Sequence, residues 1–431
     1  MGGIAMRYKL SWLAPFLAGA AAVLASAPAQ AQQLAVDTSL AVAAEDQSVM
    51  SRPRPDYDAA GIEMGGFRLY PSIGTMVQYN SNIYNSQDDR ISDESFVLTP
   101  QVEARSQWSH NSLDLSAGGI LTRYASVTTE NTDQYHVDAN GSLNASSAIT
   151  LTADANYQRG AEPRGSFGDV FIGGEPSMYD QAGAKGAVIV QLANSLITLG
   201  GGITNYSYLP IRLSTTSVVS QSYRNRTEDD ASIRFDYAIG PGVRAFVLGN
   251  FNSQLYKETV GGVDQNSHGF NALGGVDFGL THLLSGEVGI GYINQTYSQP
   301  GFGSDSGLSY DAKLIWNPTA LITVTATAAK TVQQSPFVDQ QGILENSFDL
   351  KADYELLRNL ILSFEGSGTF DKYRGIARDD HLYVANASGR YLVNRWLELG
   401  LVGNFRYQGT TGDQGRKYQG TSISFSVTFK R

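Results

Sequence analysis

Apolar and polar residues alternate over long stretches of this chain, and that pattern limits the folds open to it. Residues 348–356 show it without exception, with an apolar set facing one way and a charged set the other: Phe348, Leu350, Ala352, Tyr354 and Leu356 against Asp349, Lys351, Asp353 and Glu355. A period of two is that of a β-strand, whose successive side chains point to opposite faces. The alternating segments are about 10 to 14 residues long, whereas strands of soluble sandwiches have about 5 to 6. The pattern predicts long strands with one apolar and one polar face.

The connections between these segments are alternately short and long. Short turns are predicted near 109–111, 146–147, 193–195, 240–242, 281–282, 317–319, 357–359 and 393–395. Longer polar loops are predicted at 80–94, 126–132, 159–179, 209–221, 257–266, 298–305, 333–341, 374–379 and 408–416. Short turns at one end and long loops at the other are typical of barrels that span an outer membrane. We therefore predict an all-β fold, a transmembrane antiparallel β-barrel of about 18 strands, or about 16 at the lower limit, with short periplasmic turns and longer extracellular loops.

Composition excludes several other classes of protein. A transmembrane helix needs about 20 consecutive apolar residues, and only the N-terminus has a comparable run, so a polytopic helical membrane protein is excluded. The chain has no cysteine, which excludes disulfide scaffolds and thiolate metal sites. Its formal charge is -10, which argues against nucleic acid as a partner because phosphate binding needs clustered lysine and arginine.

The first 31 residues have the pattern of a secretory signal peptide. Arg7 and Lys9 precede an apolar stretch over 10–24, and Ala29 and Ala31 fit the small-residue cleavage rule, so we expect cleavage after Ala31. An uncleaved N-terminal anchor is the alternative, and the lack of cysteine excludes a lipoprotein. Cleavage would remove two basic and no acidic residues, leaving a charge of -12. We predict three parts: the signal peptide 1–31, a periplasmic extended or flexible segment 32–66, and the barrel 67–431.

The segment before the barrel contains alternating arginines and prolines, Arg52-Pro53-Arg54-Pro55. Proline disfavours both a helix and a strand interior, so an extended conformation is expected. We leave two interpretations open. The segment is either a plain linker or a docking peptide, for a partner or for the interior of the barrel itself.

Residues around the first strand resemble a known family. The resemblance rests on Arg52-Pro53-Arg54-Pro55-Asp56-Tyr57, Gly61-Ile62, Gly65-Gly66-Phe67, Pro71-Ser72 and Tyr79-Asn80-Ser81-Asn82-Ile83-Tyr84. This stretch resembles the putative β-barrel porin 2 family of Gram-negative bacteria. The resemblance implies an outer-membrane barrel linked to exopolysaccharide or capsule secretion, with a periplasmic polysaccharide export protein as a partner. It implies no catalytic residues.

The last segment points to partners of another kind. Thr421, Ile423, Phe425, Val427 and Phe429 alternate up to the C-terminus, and this segment resembles the closing strand that the barrel assembly machinery reads. That machinery, outer-membrane lipid and lipopolysaccharide are therefore expected partners.

Two motifs are candidate chemical sites. His110 and Ser112 have the His-x-Ser spacing of a lipid A deacylase, but they fall at a predicted periplasmic turn, away from the outer leaflet. The cluster of Asp88, Asp89, Asp93 and Glu94 could hold a calcium ion or bridge lipopolysaccharide through divalent ions, although a solvated acidic loop is the simpler interpretation. We expect no enzymatic activity, no metal site and no cofactor.

Charged residues on the polar face of the predicted strands should point into the lumen, where they would determine what passes. They are Glu103, Arg105, Arg234, Asp236, Arg244, Asp311, Lys313, Asp349, Lys351, Asp353, Glu355, Glu365 and Arg390. Their mixed signs suggest an ion network or a transverse field. The alternative is that they only solvate the lumen and brace the wall.

The longest predicted loop, 159–179, combines charged and aromatic residues: Arg159, Arg164, Phe167, Asp169, Phe171 and Glu175. Such a loop is expensive to leave in water, so we predict that it folds inward as a constriction. The alternative is an outward loop that caps the barrel.

Together these features predict a non-enzymatic outer-membrane barrel that forms or assists a passage for polar polymers, with exopolysaccharide as the expected cargo. Two alternatives remain open. One is a general diffusion porin for small hydrophilic solutes, and the other is a structural or adhesive barrel with a blocked lumen.

Overall fold

The computed structural model describes residues 48–169, 174–214, 216–281, 283–338, 340–412 and 415–431. The predicted signal peptide, its cleavage site after Ala31 and Phe171 of the longest loop lie outside the described residues.

The described chain is built almost entirely of strands, with 3-10 turns at Thr128–Glu130 and Ser222–Arg224. The strands are β1 (Ile62–Met64), β2 (Phe67–Asn80), β3 (Asp93–Ser106), β4 (Ser112–Tyr124), β5 (Thr132–Asn144), β6 (Ile149–Ala161), β7 (Met178–Gln191), β8 (Ser195–Tyr208), β9 (Ile211–Arg212), β10 (Val218–Val219), β11 (Arg226–Gly240), β12 (Val243–Tyr256), β13 (Ser267–Thr281), β14 (Leu284–Tyr297), β15 (Ser304–Thr319), β16 (Ile322–Gln333), β17 (Ile343–Leu357), β18 (Leu360–Tyr373), β19 (Arg378–Asn394), β20 (Leu397–Gly412) and β21 (Tyr418–Lys430).

Eighteen long antiparallel strands form one closed sheet. Each long strand pairs with its neighbours along the chain, and β2 also pairs with β21, with Thr75 opposite Val427, which closes the barrel. The short strand β1 extends the sheet at β2, and β9 and β10 form a separate small hairpin in the loop between β8 and β11. The predicted class and the count of 18 strands are confirmed. All eight predicted turns and all nine predicted loops coincide with connections between long strands.

The two faces of the wall differ in the way that the alternation predicts. Val77, Val247 and Leu350 are 56, 64 and 56% exposed, whereas the neighbouring Gln78, Leu248 and Lys351 point to the other face. Large apolar side chains in contact with water would be costly, so an exposed apolar face on every strand indicates a lipid-facing surface. Among the described residues there is no helix long and apolar enough to cross a membrane.

Aromatic side chains form a continuous row on this apolar face near the loop end of the barrel. Successive ring centroids lie 6.2 Å apart between Tyr310 and Phe348, 6.2 Å between Phe348 and Phe370, and 5.8 Å between Phe370 and Tyr383. Tyr407 continues the row at 6.5 Å from Tyr383. Rows of this kind mark the boundary between the acyl chains and the headgroups of a membrane.

On the inner face of the wall, opposite the aromatic row, two glycines leave space for the side chain of Phe246. The ring of Phe246 on β12 lies against Gly275 of β13 and Gly289 of β14, where an added Cβ would be 2.5 and 3.2 Å from its Cζ atom. Leu248 and Leu273 complete this buried apolar cluster. The guanidinium of Arg234 lies 4.2 Å from the centroid of the same ring, so the cluster supports a charged group.

Substitution of Gly275 by alanine tests this packing. The new methyl group would lie 2.2 Å from the carbonyl oxygen of Val288 and 2.5 Å from the Phe246 ring, so the wall has to shift. We expect Gly275→Ala to destabilise the barrel by about 1 to 3 kcal/mol. Gly274→Ala is the matched control, because its nearest atom outside the adjoining residues is 4.0 Å away. Equal unfolding midpoints for the two variants in detergent would contradict this account.

Candidate functional site: the lumen and its two ends

An ion pair between distant strands shows which face of the sheet is the inside. Arg234 on β11 donates to Asp236 on the same strand at 2.9 Å and to Glu287 on β14 at 2.8 Å. Strands β12 and β13 lie between, and neighbouring strands are about 4.8 Å apart. Side chains from strands so far apart converge only on the concave side of a closed sheet. The face that carries the charges therefore lines the lumen.

Most of the predicted charged residues on this face occur in ion pairs. Arg105 pairs with Glu103 at 2.6 Å, Arg244 with Asp277 at 2.6 Å and Lys351 with Asp353 at 3.3 Å. Arg390 pairs with Glu398 at 2.5 Å, and Glu398 also accepts from Lys430 at 3.0 Å. The wall thus presents coupled charges of both signs.

The other predicted residues lie on the same face nearer the middle of the barrel. Asp311 and Lys313 are on β15, with Lys313 directly opposite Glu287 of β14 in the register. Glu365 of β18 lies opposite Lys351 of β17, and Asp349 lies one step along the same face. Strands β15 and β17 each carry charges of both signs here, whereas Thr325 and Thr327 of the intervening β16 are uncharged.

Several lumen residues were not predicted, although the same alternation could have found them. Asp277, Glu287 and Glu398 occupy the polar face of strands that also carry long apolar faces. A further cluster of lumen residues, around Arg226 at the loop end, could not be predicted because it is formed by tertiary contacts. The guanidinium of Arg226 lies 4.3 Å from the ring centroid of Tyr206 and 6.0 Å from that of Tyr256, and it donates to Glu228 at 2.8 Å.

Small polar residues fill much of the wall between these charges. Ser422, Ser424 and Ser426 follow one another along the lumen face of β21, and Thr325 and Thr327 do so on β16. Hydroxyl groups both donate and accept hydrogen bonds, and small side chains leave space for water. This part of the wall suits polar solutes of either charge or of none.

Residues 162–169 and 174–177, the described parts of the central stretch of the predicted constriction loop, lie at the loop end of the barrel. Arg164 anchors this loop. Its guanidinium pairs with Glu130 at 2.5 Å and with Asp169 at 2.8 Å, and it donates to the carbonyl oxygen of Gly174 at 2.5 Å. Burial raises the pKa of Glu130, and the pairing with Arg164 partly offsets that effect. A buried arginine shared by two carboxylates holds the loop in one position.

Residues of this loop also contact other loops at the same end of the barrel. Asp169 accepts from Arg416 of the last loop at 2.9 Å, and Glu162 accepts from Arg224 at 2.8 Å. Asn85 of the first loop donates to the carbonyl oxygen of Arg164 at 2.5 Å. These partners sit at the ends of strands on different sides of the barrel. The loop therefore lies over the lumen rather than away from it.

The assignment of Arg159 to this loop was wrong, whereas Glu175 and Phe167 do lie in it. Arg159 lies within β6, on the outer face, where it pairs with Asp180 of β7 at 2.7 Å and stacks on the outward Tyr135. It points away from the lumen because β6 continues to Ala161 and position 159 shares a face with the exposed Tyr157. Glu175 stays in the loop, where its amide donates to the carbonyl oxygen of Arg212 at 3.1 Å. Phe167 is half-buried in the same loop.

The turn end of the barrel is also occupied. Residues 48–58, from the segment before the barrel, pack against the turns between β15 and β16 and between β17 and β18. The amide of Val49 donates to the hydroxyl of Thr323 at 2.9 Å, and Arg52 donates to the carbonyl oxygen of Ala320. Arg395 holds the far end of the segment, donating to the carbonyl oxygen of Pro55 at 2.7 Å. Of the two interpretations left open, docking on the barrel is the one observed for these residues.

A buried ion pair joins this segment to the lumen wall. Arg54, 5% exposed, donates to Glu355 at 2.9 Å, and Glu355 is 2% exposed. Burial lowers the pKa of Arg54, and the carboxylate of Glu355 opposes that shift. Arg54 also donates to the carbonyl oxygen of Val49 at 2.6 Å, so it shapes the segment as well as anchoring it. Glu355 was predicted as a lumen charge, and its partner comes from outside the barrel.

No group of three histidine, aspartate or glutamate side chains that could hold a metal ion occurs within the described ranges. Of the acidic residues in the first loop, Asp93 instead accepts backbone hydrogen bonds from Ser126 and Val127 of the second. It therefore ties two loops together.

A closed barrel of 18 antiparallel strands with an apolar outer face and a charged lumen belongs to the class of outer-membrane β-barrel channels. The sequence profile of the putative β-barrel porin 2 family matches residues 54–431. The chain belongs to that family. No curated protein sequence matches it.

Several solved porin structures are similar in fold. OpdL of Pseudomonas aeruginosa is 14% identical, and the superposition covers 85% of this chain and 99% of that one with a TM-score of 0.42. OpdK of the same organism, solved with vanillate, is 10% identical, with 84 and 99% covered and a TM-score of 0.43. A BenF-like porin of Pseudomonas fluorescens Pf-5 is 10% identical, with 84 and 98% covered and a TM-score of 0.45.

Proposed function

We propose that this porin is a passive diffusion channel for small hydrophilic solutes. The observation that carries the proposal is that segments of the chain itself lie at both ends of the lumen. Residues 162–169 and 174–177 lie over the loop end, anchored by Arg164, and residues 48–58 occupy part of the turn end, anchored by Arg54. A path between two such segments suits a small solute better than a polymer chain, which needs an unbroken wide passage.

The wall between these ends supports the same function. Most of its charges have a neighbour of opposite sign, although Asp349 and Glu365 are like charges on adjoining strands. Hydroxyl groups on β16 and β21 line the wall between these charges. Paired charges produce a weak net field and many local hydrogen-bonding sites, which favours short-lived contacts with polar solutes. Rapid diffusion requires contacts of this kind, because a solute that binds tightly does not leave.

The sequence led us to expect polymer passage, with exopolysaccharide as cargo and a periplasmic export protein as partner. Neither the family match nor the geometry of the lumen supports that expectation, and the small-solute porin, given above as an alternative, fits both better. The proposed surroundings are unchanged. Outer-membrane lipid and lipopolysaccharide would contact the aromatic row, and the barrel assembly machinery would insert the chain.

Solute uptake by proteoliposomes tests this function. With the purified barrel in vesicles, we expect swelling rates to fall steadily from a monosaccharide to a trisaccharide and to reach the protein-free rate for a dextran. The physical reason is that the narrowest section of a pore determines which solutes pass. If the barrel is sealed, the vesicles would swell with none of these sugars, and this result would favour the structural or adhesive alternative.

A polymer channel would behave differently. Passage of the dextran at a rate comparable to that of the monosaccharide would contradict the proposal. So would a deletion strain that stops secreting polysaccharide while its uptake of small sugars is unchanged. The variant Trp396→Phe changes an exposed residue on the outside and leaves the lumen wall intact. It is therefore a suitable control when equal amounts of protein are reconstituted.

A further inference from the structure

The wall of the barrel is interrupted between β15 and β16. These two strands pair from the turn between them up to Asp311 and Ala329. Beyond that point, residues 304–310 pair with β14 and residues 330–333 pair with β17, and among the described residues no ladder joins the two stretches to each other. We call this interval the seam. The seam begins at Tyr310, in the aromatic row that marks the headgroup boundary, and runs toward the loop end. Buried backbone groups without partners are costly, so the seam needs an explanation.

The interruption is local, because the joints on either side are complete. β14 and β15 remain paired up to Thr296 and Ser304, and β16 and β17 up to Gln333 and Ile343. The strands are therefore well formed on both sides of the seam, and only the contact between them is missing.

The two edges overlap instead of pairing. Ile293, on the lumen face of β14, packs with Val332 of β16 and Leu344 of β17 in one buried cluster. Val332 and Leu344 belong to the faces of β16 and β17 that turn outward lower in the barrel. An outward face can meet the lumen face of β14 only if the loop ends of β16 and β17 lie on the lumen side of β14. The seam is thus an overlap sealed by apolar contact.

Polar contacts at the rim hold this overlap closed. The hydroxyl of Tyr297 on β14 donates to Asp305 at 2.7 Å and accepts from the amide of Gly342 at 2.9 Å. Asp305 also pairs with Arg374 at 2.9 Å. On the outer side, Tyr310 donates to Asn346 at 3.0 Å. The bond between Tyr297 and Asp305 lies within the β14–β15 side, and the other three contacts cross to the β16–β18 side. Each crossing contact uses at least one side chain, so it can separate without breaking a backbone ladder.

A buried hydroxyl suggests that the closed overlap is not the only state. Ser309 faces inward from the unpaired part of β15 and is fully buried, yet its hydroxyl has no hydrogen-bond partner among the described residues. A buried unpaired hydroxyl is costly, and a joint that never opened could replace it with alanine at no loss. Opening of the seam would return this hydroxyl to water or to a polar group.

An apolar groove lies on the lipid-facing side just below the seam. It has a volume of about 360 Å³ and is lined by Ala312, Ala326, Ala328, Phe348, Leu350 and Gly368, among others. The small residues form its floor and Phe348 forms part of its rim. The groove has the volume and the apolar lining that suit a single alkyl chain, and it opens on the lipid side of the wall.

We propose that the seam is a lateral portal through which amphiphiles with one alkyl chain and a small polar head pass between the lumen and the outer leaflet. The alkyl chain occupies the groove while the polar head moves past Ser309 into the charged lumen. This adds a second, lateral exit to the channel proposed above and rests on that channel having an open lumen.

A cysteine pair across the seam tests the proposal. The wild-type chain has no cysteine, and Tyr310 reaches Asn346 across the seam with a hydrogen bond of 3.0 Å, so Y310C with N346C places two thiols on opposite sides of the gap. A short cleavable bismaleimide then locks it. The probe is an alkyl glucoside with a diazirine in its chain, cross-linked by light in proteoliposomes and mapped by mass spectrometry. We expect labelling of the groove and of the lumen face around Ile293, and at least a fivefold loss of the lumen labelling when the seam is locked.

Two controls separate the portal from the channel. T296C with S304C, treated in the same way, locks a joint that is already paired and should leave all labelling unchanged. Ala328→Trp fills the groove and should reduce both groove and lumen labelling even if the cross-link forms poorly. Swelling with monosaccharide should be the same in every variant. Lumen labelling that persists in both the locked seam and Ala328→Trp would overturn the portal, whereas loss of swelling in the wild type would overturn the channel itself.

Discussion

Deletion of residues 163–176 is expected to raise single-channel conductance in planar bilayers by roughly twofold or more, because the current through a water-filled pore follows its narrowest section. The deletion removes Arg164 and Asp169, which tie the loop to Glu130 and Arg416 over the lumen. The strands β6 and β7 end outside the deleted range, so their ladder, with Ala161 opposite Met178, is preserved.

Two further variants make this result specific. Arg164→Ala keeps the loop but removes its anchor, so we expect a smaller rise in conductance with more frequent switching between levels. Deletion of 259–262, in a loop whose Gly261 and Gly262 have no neighbour within 4 Å of an added Cβ, is the matched control and should leave the conductance unchanged. A correctly folded barrel with wild-type conductance after the 163–176 deletion would show that the loop caps the barrel without narrowing it.

Release of the segment at the turn end should have an effect of similar size. Arg54→Ala leaves Glu355 buried, with Arg52 at 3.5 Å and Arg358 at 3.7 Å as more distant partners. Removal of one member of a buried ion pair costs about 3 to 5 kcal/mol, which corresponds to at least about a hundredfold weaker docking of the segment. We expect residues 48–58 to become sensitive to added protease and the conductance to rise.

Arg358, the exposed partner of Glu355, provides the control variant. Arg358 approaches Glu355 from the exposed side, with 75% of its side chain in contact with solvent. Exposed ion pairs contribute about 0 to 1 kcal/mol, so Arg358→Ala should leave both protease sensitivity and conductance near wild type. If Arg54→Ala and Arg358→Ala give the same small response, the buried pair does not hold the segment in place.

Much of the barrel could be predicted because its information is local. Period-two alternation places Leu350 and Lys351 on opposite faces whatever their partners are, and turn residues such as Gly240-Pro241-Gly242 separate strands by their own backbone preferences. The same logic assigned Arg234 and Glu355 to the face that lines the lumen. Counting alternating segments then yields the strand number, since each hairpin follows from its neighbours.

The sequence-based predictions were wrong or incomplete where long-range contacts decide the structure. Arg159 lies at the end of an alternating segment and beside a long polar stretch, and only the pairing with Asp180 shows that β6 extends past it. The segment around Arg54 has no periodicity at all. Its docking depends on Glu355, 301 residues further along the chain, and no pattern within a window of the sequence reports such a distance.

The alternation, the count of turns and the family motifs near the first strand are properties of short stretches, so the sequence by itself determined the barrel, its strand number and its membrane-facing side. The occupation of both ends and the seam between β15 and β16 were decided only by the tertiary structure. The physical reason is that strand pairing repeats the same short-range geometry at every step, whereas an anchor such as Arg164 or an overlap such as that of Ile293 with Val332 exists only after the sheet has closed and brought distant residues together.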